Sequence, residues 1–195
     1  MAMDTDEVRE PSAETRGLAS FAFELGVLKR MRRAGWWHAG IRDPESVAEH
    51  SLRVAQLATM LAGPEGADPA RASLLALWHD TQETRTGDIP HTAKPYMSGA
   101  DNLAITKDQT AALPASAASP ILEAVAEYEA QESVEAWCAK DADKLECLIQ
   151  AIEYRSAGNQ DTEQWITSSR AALRTRTAQA IADAALIVSP VEWRS

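Results

Sequence analysis

The stretch that most limits what this chain can become is Leu74-Leu75-Ala76-Leu77-Trp78-His79-Asp80-Thr81-Gln82-Glu83. Leu74 to His79 contain no β-branched residue, which favours a helix, and the apolar run stops abruptly at histidine, aspartate and glutamate. Residues three and four apart share a helical face, so one continuous helix would set Glu83 a turn above both His79 and Asp80. A segment fit for a core thus delivers three groups able to bind a metal or move a proton. Burying a carboxylate beside an imidazole is unfavourable unless a cation or hydrogen bonds compensate, which makes a divalent ion the natural guest. An ion pair at a helix end fits the same few residues, so the rest of the chain must discriminate.

Alanine, leucine and glutamate are plentiful and aromatic residues are only 6% of the 195, a mixture that predicts an all-α protein. The length suits one domain with a sizeable core. A formal charge of −10 argues against a partner that is a nucleic-acid polymer, which calls for a basic stripe, but leaves room for one small phosphorylated ligand in a local pocket. No stretch approaches the ~20 apolar residues of a membrane span. The acidic segment Met1 to Arg16 lacks the basic start and apolar middle of a secretory signal. Cys138 and Cys147 suggest neither a disulfide framework nor a zinc knuckle, and the expectation is a cytoplasmic protein with reduced thiols.

Residues 1–16, rich in acidic and hydroxyl side chains without apolar period, are expected to be a disordered lead, and residues 17–195 a single domain. Leu18, Phe21, Leu25 and Leu28 recur at helical spacing, closing on Lys29 and Arg30. Arg32-Arg33-Ala34-Gly35-Trp36-Trp37 then places arginines beside flat rings, a loop suited to an anion and a sugar or base, or equally to capping the core. The next helix starts either at Asp43-Pro44 or at the capping box Ser46-Val47-Ala48-Glu49 and carries His50 near the edge of its apolar stripe. Asp68-Pro69 opens the central helix, expected to run to Glu83. Gly87, Pro90 and Pro95 make the following segment a loop that can bring Asp88, Thr92 and Lys94 over the same site.

Residues 97–116 are weakly patterned and are expected to hold a short helix within a lid. Ser119-Pro120 predicts a further helix, and a longer one follows from about Ser133 to Arg155. Within it the stripe of Ala136, Lys140, Asp143 and Cys147 points Asp143 inward and Asp141 outward. A last alanine-rich helix, about Thr162 to Val188, is expected to serve packing or a homodimer.

His50, the adjacent His79 and Asp80, and the inward Asp143 thus fall on three successive long helices. In that order they resemble the H…HD…D pattern of the HD-domain metal-dependent phosphohydrolases, from about Leu18 to Tyr154. The closer likeness is to their 5′-deoxynucleotidase branch, carried by Arg33-Ala34-Gly35-Trp36, Glu45-Ser46-Val47-Ala48-Glu49-His50-Ser51, His79-Asp80-Thr81-Gln82-Glu83, Thr86-Gly87-Asp88-Ile89-Pro90 and Lys140-Asp141-Ala142-Asp143-Lys144-Leu145-Glu146. The resemblance implies a compact helical bundle in which His50, His79, Asp80 and Asp143 hold one divalent ion. Two imidazoles and two carboxylates suit Mn²⁺, Co²⁺, Fe²⁺ or Zn²⁺ better than Mg²⁺. It further implies that Glu83 and Asp88 handle protons, with the acid and the base unassigned between them. Arg33 and Lys94 would meet the phosphate, Trp36 or Trp37 would border sugar or base, and the substrate would be a deoxyribonucleoside 5′-monophosphate or another nucleotide.

Overall fold

The computed structural model describes residues 10–97 and 101–194, which contain nine α-helices and no strand beyond one isolated antiparallel bridge, Arg32 to Ser46. The all-α expectation holds. No helix among the described residues is long and apolar enough to cross a membrane.

The first helix, α1 (Ala13–Leu25), starts where the Ser12 hydroxyl accepts the Thr15 amide, so helix replaces the expected disorder from residue 13. Residues 1–9 of that expected lead lie outside the described residues. The helix ends at Leu25, leaving Lys29 and Arg30 in the following turn. A short 3-10 helix, Ala34–Ala39, precedes α2 (Val47–Ala62), whose start is set by the Ser46–Glu49 capping box rather than by Asp43-Pro44.

The core is the packing of α2 on α3 (Pro69–Trp78) and on α7 (Val134–Ser156), which is flanked by α6 (Ala115–Ala130) and α8 (Glu163–Ala172). Alanines 58, 62, 72, 76, 139 and 142 are fully buried at these contacts and let the helices approach closely, while Leu61, Leu75, Leu145 and Leu148 fill the space between. Each such leucine contributes roughly 1.5–3 kcal/mol by leaving water.

Three expected helices differ from the structure. The central helix stops at Trp78, because the His79 ring bonds back to the Ala76 carbonyl at 2.6 Å and the chain continues through turns held by three-residue hydrogen bonds, Thr81 to Trp78 and Glu83 to Asp80. Helix resumes only as the four-residue α4 (Glu83–Thr86). The helix expected at Ser119 begins at Ala115 and carries Pro120 inside it. The final helix is two, α8 and α9 (Arg176–Ala185), parted at Leu173–Thr175. Asp141 causes that break. It is 1% exposed rather than outward, and its carboxylate accepts the amides of Arg174 and Thr175 and the Thr175 hydroxyl.

The weakly patterned region contains α5 (Asn102–Thr110), which docks through polar groups. Gln82 Nε2 donates to Thr106 at 2.7 Å, and Gln109 Nε2 reaches Glu24, the Thr81 carbonyl and Thr84. An element packed by amides and hydroxyls has little hydrophobic period to read.

Candidate metal centre

The four side chains expected to bind an ion meet where α2, the end of α3 and α7 converge. His50 Nε2 lies 3.6 Å from Asp80 Oδ2 and 3.4 Å from Asp143 Oδ1, and His79 Nε2 lies 3.1 Å from Asp80 Oδ2. Ligand atoms of His50, His79 and Asp80 all fall within 4.8 Å of one another. Asp80 stands in the turn that follows α3, directly after His79.

The histidines report what the cluster is built for. Each ring is fixed through Nδ1, His50 by Glu146 Oε2 at 2.5 Å and His79 by the Ala76 carbonyl at 2.6 Å. A carbonyl only accepts, so His79 carries a proton on Nδ1, and Nε2 of the neutral ring is the atom left to donate a lone pair. Both Nε2 atoms are buried without a hydrogen-bond partner. Two unpartnered buried ring nitrogens facing two carboxylates call for a proton or a cation among them, so these residues fit a divalent ion.

Charge in the cluster is arranged around that need. Asp80 is buried, yet His79, His50 and Arg33 hold its carboxyl well below the usual range. For Asp143, likewise buried, Lys144 at 3.0 Å leads the stabilising charges, and it too is held well below. Burial and Arg33 oppose charge on His50, but Glu146 and Asp143 outweigh them and raise it to about 9. Glu83 is different. Burial first, then the charges of Asp80 and Asp88, push its carboxyl up to about 10, and its Oε2 is buried with no partner. Crowded carboxyl groups need a proton or a cation between them.

A cavity of about 980 Å³ opens from this cluster. Its inner wall carries His79, Asp80, Asp143 and Tyr128, and its mouth carries Asp88, Thr92 and Lys94, with α8 contributing Gln164, Trp165 and Ser168. Arg33 leans on Asp80 at 3.4 Å, and burial fails to offset the neighbouring Asp80 and Asp143, which keep its charge firmly in place. The Ala34 amide donates to Asp88 Oδ2, tying the Arg33 loop to the loop after α4. Lys94 lies exposed at the rim in the 3-10 helix Lys94–Tyr96.

Trp36 is 1% exposed. Its ring stacks on Trp165, meets Tyr154 edge-on, and donates to Glu45 at 3.0 Å, so it braces the cavity wall and leaves little face for a sugar or base. Trp37 is exposed. His38 bonds Thr92 at 3.1 Å, and His91 is exposed.

Glu146, Tyr128 and Lys140 are not singled out as site residues by the sequence, whereas Arg53, a turn after His50, is expected to face either the phosphate or solvent and instead meets Glu146. Glu146 sits one turn after Asp143 on the same face of α7, and that spacing was the available signal.

The profile of the HD domain family matches residues 25–184. A Bos taurus protein named 5′-deoxynucleotidase HDDC2 is 34% identical over 74% of this chain and 71% of its own length. The Schizosaccharomyces pombe 5′-deoxynucleotidase hdd1 is 33% identical over 79% and 81% respectively. Among solved structures, a conserved hypothetical protein from Pyrococcus furiosus superposes with a TM-score of 0.70 at 28% identity, covering 87% of this chain and 99% of its own. With the family profile spanning most of the chain and the histidine–aspartate cluster at its centre, this protein belongs to the HD-domain family.

Proposed function

We propose that the chain is a metal-dependent 5′-deoxynucleotidase, cleaving deoxyribonucleoside 5′-monophosphates to deoxynucleoside and phosphate. The observation that carries this reading is the pair of buried, unpartnered Nε2 atoms of His50 and His79 facing Asp80 and Asp143 at the inner end of a nucleotide-sized cavity. The relatives that bear the 5′-deoxynucleotidase name support the choice of substrate. His50, His79, Asp80 and Asp143 are the proposed ligands of a Mn²⁺, Co²⁺, Fe²⁺ or Zn²⁺ ion. When bound, the ion supplies Lewis acidity toward the phosphoryl group and the attacking water.

The chain's own residues do the rest. Arg33, held against Asp80, offers its remaining N–H groups to phosphate oxygens, and Lys94 meets the phosphate from the mouth. Glu83 and Asp88 move the protons: one of the two carboxyl groups takes the proton of the attacking water as its oxygen bonds to phosphorus. As the bond from phosphorus to the 5′ oxygen breaks, the other carboxyl of the pair delivers a proton to that oxygen. Burial of Glu83 beside the charges of Asp80 and Asp88 favours its protonated form.

Metal analysis of protein purified without chelators, paired with phosphate release from dAMP, AMP, dATP and ppGpp, tests the reading. Release from dAMP that depends on added Mn²⁺ or Co²⁺ and exceeds release from the others is expected. Turnover confined to dATP or ppGpp, or none with any ion, overturns it.

A further inference from the structure

Arg53 lies one turn beyond His50 on α2 and points across the helix interface into α7. Its guanidinium is fully engaged there. Nε and Nη2 grip Glu146 Oε1 at 3.0 and 2.7 Å, Nη1 holds both oxygens of Glu153 at 3.0 and 2.8 Å, and Nη2 also reaches Gln150 Oε1 at 2.7 Å. Glu146, Gln150 and Glu153 form one stripe of α7, so a single planar fork reads three successive positions of that face.

Glu146 divides its two oxygens. Oε1 belongs to Arg53, and Oε2 belongs to His50 Nδ1 at 2.5 Å. The carboxylate is 0% exposed at the centre of the helix interface. A buried ion pair rarely beats a well-packed apolar pair for stability, so three polar groups in a row at this depth need another reason.

We infer that Arg53 and Glu146 are positioning residues for the metal centre, a relay that fixes the His50 ring and its Nδ1 proton so that Nε2 faces Asp80 and Asp143 as a lone-pair donor. Arg53 locks the plane of the Glu146 carboxylate, and that carboxylate orients the imidazole and strengthens its donor nitrogen. The inference rests on the reading of His50 as a metal ligand. His79 achieves the same end with a backbone carbonyl, so only one of the two rings depends on a neighbour that mutation can remove.

Mn²⁺ titration of the full chain by calorimetry, the visible spectrum of the Co²⁺-loaded protein and the ¹⁵N shifts of the His50 ring test the relay together. Glu146→Gln is expected to weaken Mn²⁺ binding about ten- to a hundred-fold, to alter the Co²⁺ spectrum and to move the His50 Nδ1–H resonance. Arg53→Met is expected to weaken binding to a similar extent, and Arg53→Lys, which keeps the charge but loses the planar fork, to recover only part of it. The double variant Arg53→Met with Glu146→Gln buries no unpaired charge and so protects the fold; it is expected to melt like the parent and still bind weakly. Parental Mn²⁺ affinity in Glu146→Gln and in the double variant, with His50→Gln losing the ion, overturns the relay alone. Parental affinity in His50→Gln overturns the metal assignment, and the relay with it.

Discussion

At the inner end of the cavity the polar side chains come from long packed helices, and each has a second anchor: His50 on Glu146, His79 on Ala76, Asp143 on Lys144. At the mouth, Lys94 rides on a 3-10 helix and Asp88 sits in the loop after Gly87, which takes a positive φ of 78°, while Glu83 stands between the two ends on a four-residue helix. One end is built to keep atoms in place, and the other to let groups follow a substrate. Binding an ion needs fixed geometry, whereas moving protons and admitting a nucleotide need side chains that adjust.

Removing the inner end should do the most damage. Asp80→Ala, or a chelator applied to the parent protein, is expected to bring phosphate release to background, with Mn²⁺ restoring only the chelated parent. Next in size, Glu83→Gln at the boundary between the two ends should keep fold and bound metal while lowering kcat by about 10²–10⁴-fold, the usual share of a proton-transfer group. Full turnover in that variant would remove Glu83 from the chemistry. Lys94→Ala at the exposed rim should act mainly through KM, with kcat/KM down about ten-fold as befits one charge-assisted contact of roughly 1.5 kcal/mol.

Two smaller effects separate scaffold from site. Asp141→Ala should cost about 1–3 kcal/mol in denaturant unfolding, because three donors at the start of α9 lose their acceptor. Glu24→Gln probes the support beneath the rim. Bonding to Arg85, working against burial and joined by Gln109 and Thr84, holds the Glu24 carboxyl below its ordinary 4.5. A depressed carboxylate contributes stability above its unfolded value and loses it as pH falls through the folded one. The difference in unfolding midpoint between parent and Glu24→Gln should therefore be present at pH 7 and shrink below about pH 4.5.

The same contrast governs how much was legible in the sequence. His50, His79, Asp80 and Asp143 stand on or beside helices with strong apolar periods, so their order along the chain revealed their meeting. The end of α3 was misread because no glycine or proline interrupts Leu74 to Glu83, and the helix ends instead where the His79 ring turns back to the Ala76 carbonyl. Asp141 looked outward by period, yet it is drawn in by amides some thirty residues later in the chain. α5 was faint for the opposite reason: Thr106 and Gln109 are core residues that no hydrophobic pattern marks. Arg53 and Glu146 carry charge where a helix interface normally carries leucine, and their pairing is visible only across two helices.

The bond from the Ala34 amide to Asp88 spans the cavity entrance. It commits one oxygen of that carboxylate to the opposite bank, leaving a single oxygen to greet an incoming molecule. The Arg33 side and the Gly87 side are therefore tied across the entrance like two halves of a clasp, and a ligand that displaces the Arg33 loop would be expected to shift Asp88 with it. In the proposed reaction, holding the phosphate and moving a proton would thus be coupled through one backbone hydrogen bond.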